Sequence, residues 1–590
     1  MPIRYLEKSP EERRRFGLLD LAIFLAVVSL LYLLLVLGKG ASAPFRPELF
    51  RSLDLSPALL PYYVGRSLLR MFISLAISFV FAVATGYWAA TSPRVERLML
   101  PFLDICQSVP VLGFLAASVG FFMSLAPGSL LGLEAASIFA VFTSQAWNMA
   151  FSFYQSMISL PAELRDAAST LRLTWWQRFT RLYLPNGMVG LVWNAMVSFG
   201  VAWFFLAASE AFLVMGREVM LPGIGSYVAA AVRQGDTEAM VLANLTMAAV
   251  IIILDQCLWR PLVVWSNKFR TQPVDEAQVP YSVVLLALRR SALMAWLTER
   301  VQAPLAEGTN RAFARLEAAA KTGQGMGVLR RVLGRSAPVL AGGAALAVLV
   351  WGAAQVPALA NQVSLGLVGK LLWLGFLTML RVWAMVIVAT LVWVPVGVWI
   401  GRNPRVASVA QPLIMLGASF PINLLYPAMM SLFLILNLNI SYGSVILLIL
   451  AAQWYMLSNI IVGAGTIPTD LEDAATIFKL GRWQRWRQLI LPAIFPYWVT
   501  GGLAAAGGAW NATIVAEVVR WGDHLYAAPG LGAYLVEATD SGFKVGILLS
   551  VTVMSLLVIA TNRLVWQRLY RQVSEGHAGL EEPERSVSDG

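Results

Sequence analysis

The sequence predicts an all-α polytopic membrane protein composed of two tandem six-helix domains. Three observations support this fold class. First, 58% of the 590 residues are hydrophobic and only 13% are charged, which is too apolar for a soluble protein of this length. Second, the chain contains about twelve apolar runs that approach the roughly 20 residues a helix needs to cross the hydrocarbon layer. Third, the second half of the chain repeats the first.

The apolar runs form two sets of six. The first run is longer than the core of a signal peptide and has no convincing small-residue cleavage site, so we predict a retained helix. In the first domain the predicted helices lie at 17–38, 68–90, 99–125, 130–158, 187–215 and 240–264. In the second domain they lie at 337–357, 370–400, 407–435, 441–464, 490–518 and 544–565.

The basic residues predict the orientation of these helices. A net charge of +11 would also suit a nucleic-acid partner, but Lys and Arg lie in short segments between apolar runs, as the positive-inside rule describes. We therefore expect contact with membrane lipid, no nucleic acid, and two cytoplasmic termini. The predicted parts are a first domain (1–264), a cytoplasmic linker (265–335), a second domain (336–570) and a cytoplasmic tail (571–590).

The linker contains one apolar segment, LLALRRSALMAWL, which carries Arg289 and Arg290 in its middle. The segment is too short to span a membrane, so we predict an amphipathic helix at the membrane interface. A loop packed on a partner protein is the alternative.

The internal repeat is clearest in a polar segment of each half. Residues 166–185 align without a gap on residues 473–492, with ten identities at a spacing of 307. Farther upstream the spacing is 311, where Arg70 aligns with Arg381 and Pro110 with Pro421. Six helices in each copy make the repeats parallel, so we predict a pseudo-twofold axis along the membrane normal.

The repeated polar segments, at 161–185 and 468–492, have the signals of short helices. Each starts with a proline followed by acidic residues, and acids stabilise the positive end of a helix dipole. Small and apolar side chains recur at helical spacing, so we predict that they share one exposed face. They are Leu164, Ala167, Ala168 and Leu171 in the first copy and Leu471, Ala474, Ala475 and Phe478 in the second. A hairpin lying on the membrane surface is the alternative.

These segments resemble the cytoplasmic EAA loop of the binding-protein-dependent ABC permeases, written E-A-A-x-x-x-G and followed by Leu-Pro. The DAA opening, the W-Q-R stretch and the later P-G-x-G-x-Y pattern are similar to the nitrate, sulfonate, taurine and bicarbonate branch. The resemblance covers nearly all of both halves. It implies an importer of the bacterial inner membrane that works with two ABC ATPase subunits and a periplasmic or lipid-anchored solute-binding protein. ATP and Mg would bind to the ATPases, and this chain would bind no cofactor.

The resemblance further implies that residues 166–173 and 473–480 are coupling helices that fit into clefts of the ATPases. Arg172 and Lys479 stand where the family pattern has glycine, which predicts a differently built turn, with Gly481 taking the glycine's role in the second copy only. The predicted coupling residues are Glu163, Asp166, Ala167, Ala168, Leu171 and Arg172 in the first copy and Asp470, Glu472, Asp473, Ala474, Ala475, Lys479 and Gly481 in the second.

Ionisable residues at membrane depth are candidates for the solute path, because burying them without a partner is costly. Glu210 and Glu517 lie near the outer ends of the fifth helices, two turns after Trp203 and Trp510. These four residues line or close the path, or each glutamate accepts hydrogen bonds from the P-G-x-G loop that follows; both interpretations stay open. Another equivalent pair, Arg70 and Arg381, either attracts anions or extends toward the headgroups, and we favour the second interpretation.

The remaining motifs favour a transport permease over an enzyme. Gly369-Lys370 is the nearest approach to a phosphate-binding loop, but the residues on both sides depart from that pattern. Two cysteines and two histidines offer neither a catalytic set nor a metal-binding set. We therefore predict a permease for a small anionic solute. An ion-coupled secondary transporter is the alternative, for which paired mid-membrane acids or broken helices would be expected.

Overall fold

The computed structural model describes residues 17–41, 53–108, 110–214, 217–269, 282–321, 363–521, 524–570 and 572. Within these ranges the chain folds into helices and two short antiparallel hairpins.

The first domain is organised around α5, which packs between α2 and α8. Its helices are α1 (Leu18–Ala41), α2 (Leu60–Thr91), α3 (Pro93–Ser108), α4 (Leu115–Leu125), α5 (Leu131–Ile158), α6 (Ala162–Thr170), α7 (Trp175–Arg178), α8 (Leu184–Ser209), α9 (Ile224–Gln234), α10 (Thr237–Leu254) and α11 (Arg260–Ser266). Strands β1 (Ala211–Val214) and β2 (Arg217–Met220) pair between α8 and α9.

The second domain repeats this arrangement, with α18 between α15 and α21. Its helices are α15 (Leu365–Gly401), α16 (Pro404–Ser419), α17 (Tyr426–Ile435), α18 (Ile440–Gly465), α19 (Thr469–Ile477), α20 (Arg482–Arg485), α21 (Leu491–Ala516), α22 (Leu531–Asp540) and α23 (Lys544–Thr561). Strands β3 (Val518–Trp521) and β4 (His524–Ala527) pair between α21 and α22.

The described part of the linker forms α12 (Val283–Arg290), α13 (Ala292–Leu297) and α14 (Ala303–Lys321). The predicted single amphipathic helix is therefore wrong, because the chain breaks at Ser291. The Ser291 hydroxyl and the Leu293 N–H both donate to Oδ1 of Asp20 in α1, at 2.6 and 2.9 Å. The side chain of Ser291 also caps α13, which favours a new helix start at this point.

Seven described segments are long and apolar enough to cross a membrane, and an eighth is obtained if the bent pair α16–α17 counts as one span. Most predicted helices lie within a few residues of observed ones. The helix predicted at 187–215 ends earlier, at Ser209, and the helix predicted at 490–518 ends at Ala516. In both places the chain continues into a two-stranded β-sheet, β1–β2 or β3–β4. The helix predicted at 337–357 lies outside the described residues.

The third predicted helix of each domain, at 99–125 and 407–435, is wrong as a single helix. In the first domain a 3-10 turn at Val111–Phe114 separates α3 from α4, and in the second α16 and α17 are bent by 76°. Pro110 and Pro421 stand at these breaks, because proline lacks an N–H and disfavours helical backbone in the residue before it. We call residues 110–114 elbow 1 and residues 421–425 elbow 2.

Each elbow contacts the fifth long helix of the other domain. The Val111 N–H in elbow 1 donates to Oδ1 of Asn511 at 2.9 Å. In elbow 2, Nδ2 of Asn423 donates to the carbonyl oxygen of Phe204 at 3.4 Å. Residues 204 and 511 are equivalent at the spacing of 307, so both elbows contact the same position of the opposite copy. A pseudo-twofold relation between the domains produces this pattern.

Candidate functional site

The repeated polar segments form two similar hairpins, which we call hairpin 1 (161–185) and hairpin 2 (468–492). Pro161 and Pro468 precede the first short helices, as predicted, and a π-helical turn leads from the second short helix into α8 or α21. The acidic side chains at these helix starts face solvent: Glu163, Asp166, Asp470 and Asp473 are exposed, and Glu472 is half-buried.

In both hairpins, the turn that follows the first short helix, α6 or α19, contains a residue with left-handed backbone conformation. Arg172 has φ 47° and Lys479 has φ 48°, the conformation that glycine adopts most easily. In hairpin 1 the Leu173 N–H donates to the Ala168 carbonyl at 3.1 Å, and in hairpin 2 Leu480 N–H donates to the Ala475 carbonyl at 3.0 Å. These bonds close the helix end as a glycine would in that position.

The prediction of a differently built turn is therefore wrong. Gly481 has φ −64° and begins the second short helix, where its N–H donates to Oε1 of Gln484 at 2.8 Å. Thr174 occupies the equivalent place in hairpin 1 and forms a reciprocal capping box with Gln177. Both hairpins thus use the same turn, and a charged residue replaces glycine at its left-handed position.

The predicted docking face is only partly exposed. Ala168 and Ala475 are 5% and 4% exposed, so the prediction that they lie on an open face is wrong. Leu171 and Phe478, which end the short helices, are 71% and 77% exposed. Ala167 is exposed and Ala474 half-buried. The surface that a partner can reach therefore runs through the position of Ala167 and not through that of Ala168.

Each hairpin is tied to the C-terminal end of the second long helix of its own domain. In hairpin 1 the indole N–H of Trp175 donates to the Tyr87 hydroxyl near the end of α2. In hairpin 2 the carboxylate of Glu472 pairs with Arg402, directly after α15, at 2.9 Å. The two hairpins thus reach equivalent helices through different chemistry.

The N-terminal halves of α2 and α15 hold two buried charge clusters. In charge cluster 1, Glu210 is fully buried and accepts hydrogen bonds from Arg70 at 2.7 Å, from the Ser67 hydroxyl and from the Gly225 N–H. In charge cluster 2, Glu517 accepts a hydrogen bond from Arg381 at 2.9 Å. The Thr378 hydroxyl and the N–H groups of Gly532 and Ala533 complete its shell.

Both glutamates anchor the P-G-x-G loop that follows them. A Cβ atom added at Gly223 or Gly530 would overlap the carboxylate of Glu210 or Glu517, so only glycine allows the loop to approach so closely. This geometry matches the interpretation in which the loop donates hydrogen bonds to the glutamate. Trp203 and Trp510 are also buried, so these four side chains line no open path in this structure, and a role in gating stays a prediction.

The favoured interpretation, in which Arg70 and Arg381 extend toward the headgroups, is wrong. Arg70 and Arg381 are buried and paired with the glutamates across their own domains. The first cluster also contains Glu134 and Arg66, which the sequence analysis missed. Glu134 accepts two hydrogen bonds from Arg70, at 2.6 and 2.8 Å, and pairs with Arg66. Two signals in the sequence could have identified these residues. Glu134 is a carboxylate within a long apolar segment, and Arg66 lies one helical turn before Arg70.

Comparison with known proteins places these features in a family. The sequence profile of the binding-protein-dependent transport system inner membrane component matches residues 82–257 and 393–572, once in each domain. The nitrate import permease protein NrtB of Leptolyngbya laminosa is 29% identical over 123 residues, 21% of this chain and 42% of the relative. The bicarbonate transport system permease protein CmpB of Synechococcus elongatus is 24% identical over 201 residues, 34% of this chain and 69% of the relative.

A third relative is the glycine betaine transport system permease protein OpuAB of Bacillus subtilis, 29% identical over 191 residues, 32% of this chain and 62% of the relative. The two family matches together cover more than half of the chain, one in each domain. The chain therefore belongs to the family of binding-protein-dependent transport system inner membrane components.

Proposed function

We propose that this chain is the membrane-spanning part of an ABC importer in a bacterial inner membrane, with both termini in the cytoplasm. Two separate ATPase subunits would supply the energy, and a solute-binding protein would deliver the solute from outside. The solute would be a small anion of the nitrate, bicarbonate, sulfonate or taurine class. The presence of the same exposed hairpin in both domains is the observation that carries this proposal.

The hairpins suit the docking of a protein partner. Leu171 and Phe478 place large apolar side chains in solvent at equivalent positions, and exposed apolar side chains rimmed by polar ones are typical of interaction surfaces. The exposed acids at the starts of α6 and α19 provide the polar rim. One ATPase for each hairpin follows from the duplication.

The long helices α2 and α15 offer a route from the ATPases to the outer side. Each contacts its hairpin near its C-terminal end and its charge cluster in its N-terminal half. A helix of 32 residues, such as α2, is about 48 Å long. Movement of a hairpin would tilt this helix and with it the P-G-x-G loop held by Glu210 or Glu517. Access could thus alternate between the two sides.

The choice of an anion rests on the nitrate and bicarbonate permeases among the relatives. The glycine betaine permease, similar over a comparable length, supports a zwitterionic solute as the second candidate. The buried clusters do not favour either solute, because neither has a net formal charge. Charge cluster 1 contains two arginines and two glutamates, and charge cluster 2 contains one arginine and one glutamate. Competition of unlabelled nitrate, bicarbonate and glycine betaine against the uptake of labelled solute would separate the two candidates.

The test is reconstitution of the chain in liposomes with an ABC ATPase and a solute-binding protein from the same organism. We expect solute uptake that requires ATP and the binding protein, and no ATP hydrolysis by the purified chain alone. Uptake driven by a proton or sodium gradient without ATP would contradict the proposal and favour the ion-coupled alternative. The broken helices at the elbows, which that alternative also predicts, do not decide between them.

A further inference from the structure

The linker makes the two hairpins different. Phe313 of α14 stacks on Trp176 of hairpin 1, with ring centroids 4.2 Å apart and an interplanar angle of 17°. It also contacts Trp175 at 6.2 Å, and Trp175 is hydrogen-bonded to Tyr87 of α2. Aromatic side chains therefore join the linker helix both to hairpin 1 and to the membrane helix behind it.

Two residues of this aromatic contact, Tyr87 and Trp175, have no aromatic equivalent in the second domain. Val398 is equivalent to Tyr87, and Arg482 is equivalent to Trp175. Trp483, the equivalent of Trp176, is 74% exposed. The same indole surface that the linker covers in hairpin 1 is thus open to solvent in hairpin 2.

The described part of the linker lies beside α6 and does not cover it. Leu171, Glu163 and Asp166 remain exposed while α14 packs against α7. The start of the linker is held separately, through the hydrogen bonds from Ser291 and Leu293 to Asp20. With α13 held at α1 and α14 at hairpin 1, the linker adds to the surface around α6 and leaves that helix accessible.

The added surface is partly basic. Arg315 of α14 and Arg172 and Arg181 of hairpin 1 are exposed, whereas Glu307 is occupied by Arg311 at 2.8 Å. Charge complementarity across an interface favours acidic groups of the partner opposite Arg315 of α14, whereas the exposed Glu163 and Asp166 of α6 would face other groups. A bilayer with anionic lipids would also attract basic residues. The stacking on the coupling hairpin itself favours a protein that binds the hairpin.

We propose that α14 and hairpin 1 together form a composite docking surface for one ATPase subunit, whereas hairpin 2 binds the other ATPase without the linker. This inference rests on the proposed function, and it adds that the two ATPase contacts differ. The partner surface next to the cleft for α6 would be acidic, and no counterpart of this contact would exist at α19.

In the experiment, the chain in nanodiscs of neutral lipid is titrated with the ABC ATPase that supports its ATP-dependent uptake, and bound subunits are counted by native mass spectrometry. We expect two affinities in the wild type. Phe313→Ala should weaken binding of one ATPase about tenfold through loss of the aromatic stack and leave the other unchanged. Phe313→Trp keeps a ring at this position and should preserve both affinities. Trp483→Ala removes the exposed indole that is equivalent to Trp176 in hairpin 2, and it should weaken the binding of the other ATPase only.

Hydrogen exchange provides the second readout, because α14 amides should gain protection when the ATPase binds. Equal affinities in the wild type, unchanged by Phe313→Ala, would overturn the inference while leaving the proposed function intact. Protection of the α14 amides in nanodiscs of anionic lipid without ATPase would show that this surface binds the membrane. That result would also overturn the inference. A wild-type chain that binds no ATPase at all would instead contradict the proposed function.

Discussion

At the scale of single residues, the hairpins depend on backbone conformation as much as on side chains. Arg172 and Lys479 adopt left-handed backbone, in which a Cβ atom lies too close to the following carbonyl oxygen. The same turn places Ala168 and Ala475 inside the hairpin. Two neighbouring alanines that look alike in the sequence are therefore in different environments, which leads to two predictions.

Arg172→Gly and Lys479→Gly should each stabilise the turn by about 1 kcal/mol, because glycine adopts the left-handed conformation without a clash. Hydrogen exchange of the Leu173 and Leu480 amides in the isolated chain would measure this as slower exchange. As a control, Ala167→Gly within α6 should destabilise the same helix by about 1 kcal/mol. Faster exchange in the two turn variants would contradict the role given to the left-handed residues.

Ala168→Arg should unfold the hairpin locally, because a long charged side chain cannot fit into a buried alanine site without a cost of about 1–3 kcal/mol. Ala167→Arg should leave the hairpin folded, since that position is exposed, but should prevent ATPase docking. Hydrogen exchange measures the first effect and ATP-dependent uptake the second. Ser169→Arg, also exposed, is the control for a harmless added charge. Normal uptake by the Ala167→Arg variant would show that this side of α6 does not contact the ATPase.

At the scale of elements, the two charge clusters attach α2 and α15 to the loops that follow α8 and α21. The clusters share an arginine, a hydroxyl and a glutamate at equivalent positions, but the first also contains Glu134 and Arg66. Arg66 further donates to the carbonyl oxygen of Leu37, so this cluster also attaches α1. Among the described residues, charge cluster 1 therefore joins more elements than charge cluster 2 does.

Glu517→Gln should destabilise the protein more than Glu210→Gln. The first change removes the buried carboxylate paired with Arg381, and breaking such a pair costs about 3–5 kcal/mol. After the second change Arg70 keeps its two hydrogen bonds to Glu134. Thermal unfolding of both variants in detergent would compare them. Equal losses of stability would show that Glu134 does not compensate for Glu210.

At the scale of the whole molecule, the domains contact each other through the elbows at positions related by the internal repeat. The β3–β4 hairpin adds a contact that crosses the domain boundary, because Trp521 packs against both cores. The two copies therefore form one body whose symmetry is approximate. The linker and the unequal charge clusters are the main departures from that symmetry.

The predicted orientation can be tested with single cysteines in a chain whose Cys106 and Cys257 are replaced by serine. Leu525→Cys in β4, at a site 49% exposed, should react with a membrane-impermeant maleimide added outside intact cells. Ile477→Cys in hairpin 2 should react only after the membrane is opened, because the positive-inside rule places the hairpins in the cytoplasm. The reverse labelling pattern would invert the topology.

The sequence by itself determined the membrane class, the duplication and the short helices of the hairpins. These follow from composition, apolar run length and local signals such as Pro161, which act between residues close together in the chain. The predicted positions of most long helices were confirmed for the same reason. The breaks at Pro110 and Pro421 were also encoded locally, but the uninterrupted apolar character around them favoured a single helix.

Only the tertiary structure decided which charged groups meet. Arg70 and Glu210 are 140 residues apart, and their pairing depends on how α2 packs against α8. The burial of Ala168 depends on the turn that follows it, and the stacking of Phe313 on Trp176 depends on where the linker folds back. Helical periodicity gives the relative directions of side chains on one helix, but it does not specify the surface that the helix meets. Packing between distant elements therefore decided the partners, the buried faces and the inequality of the two hairpins.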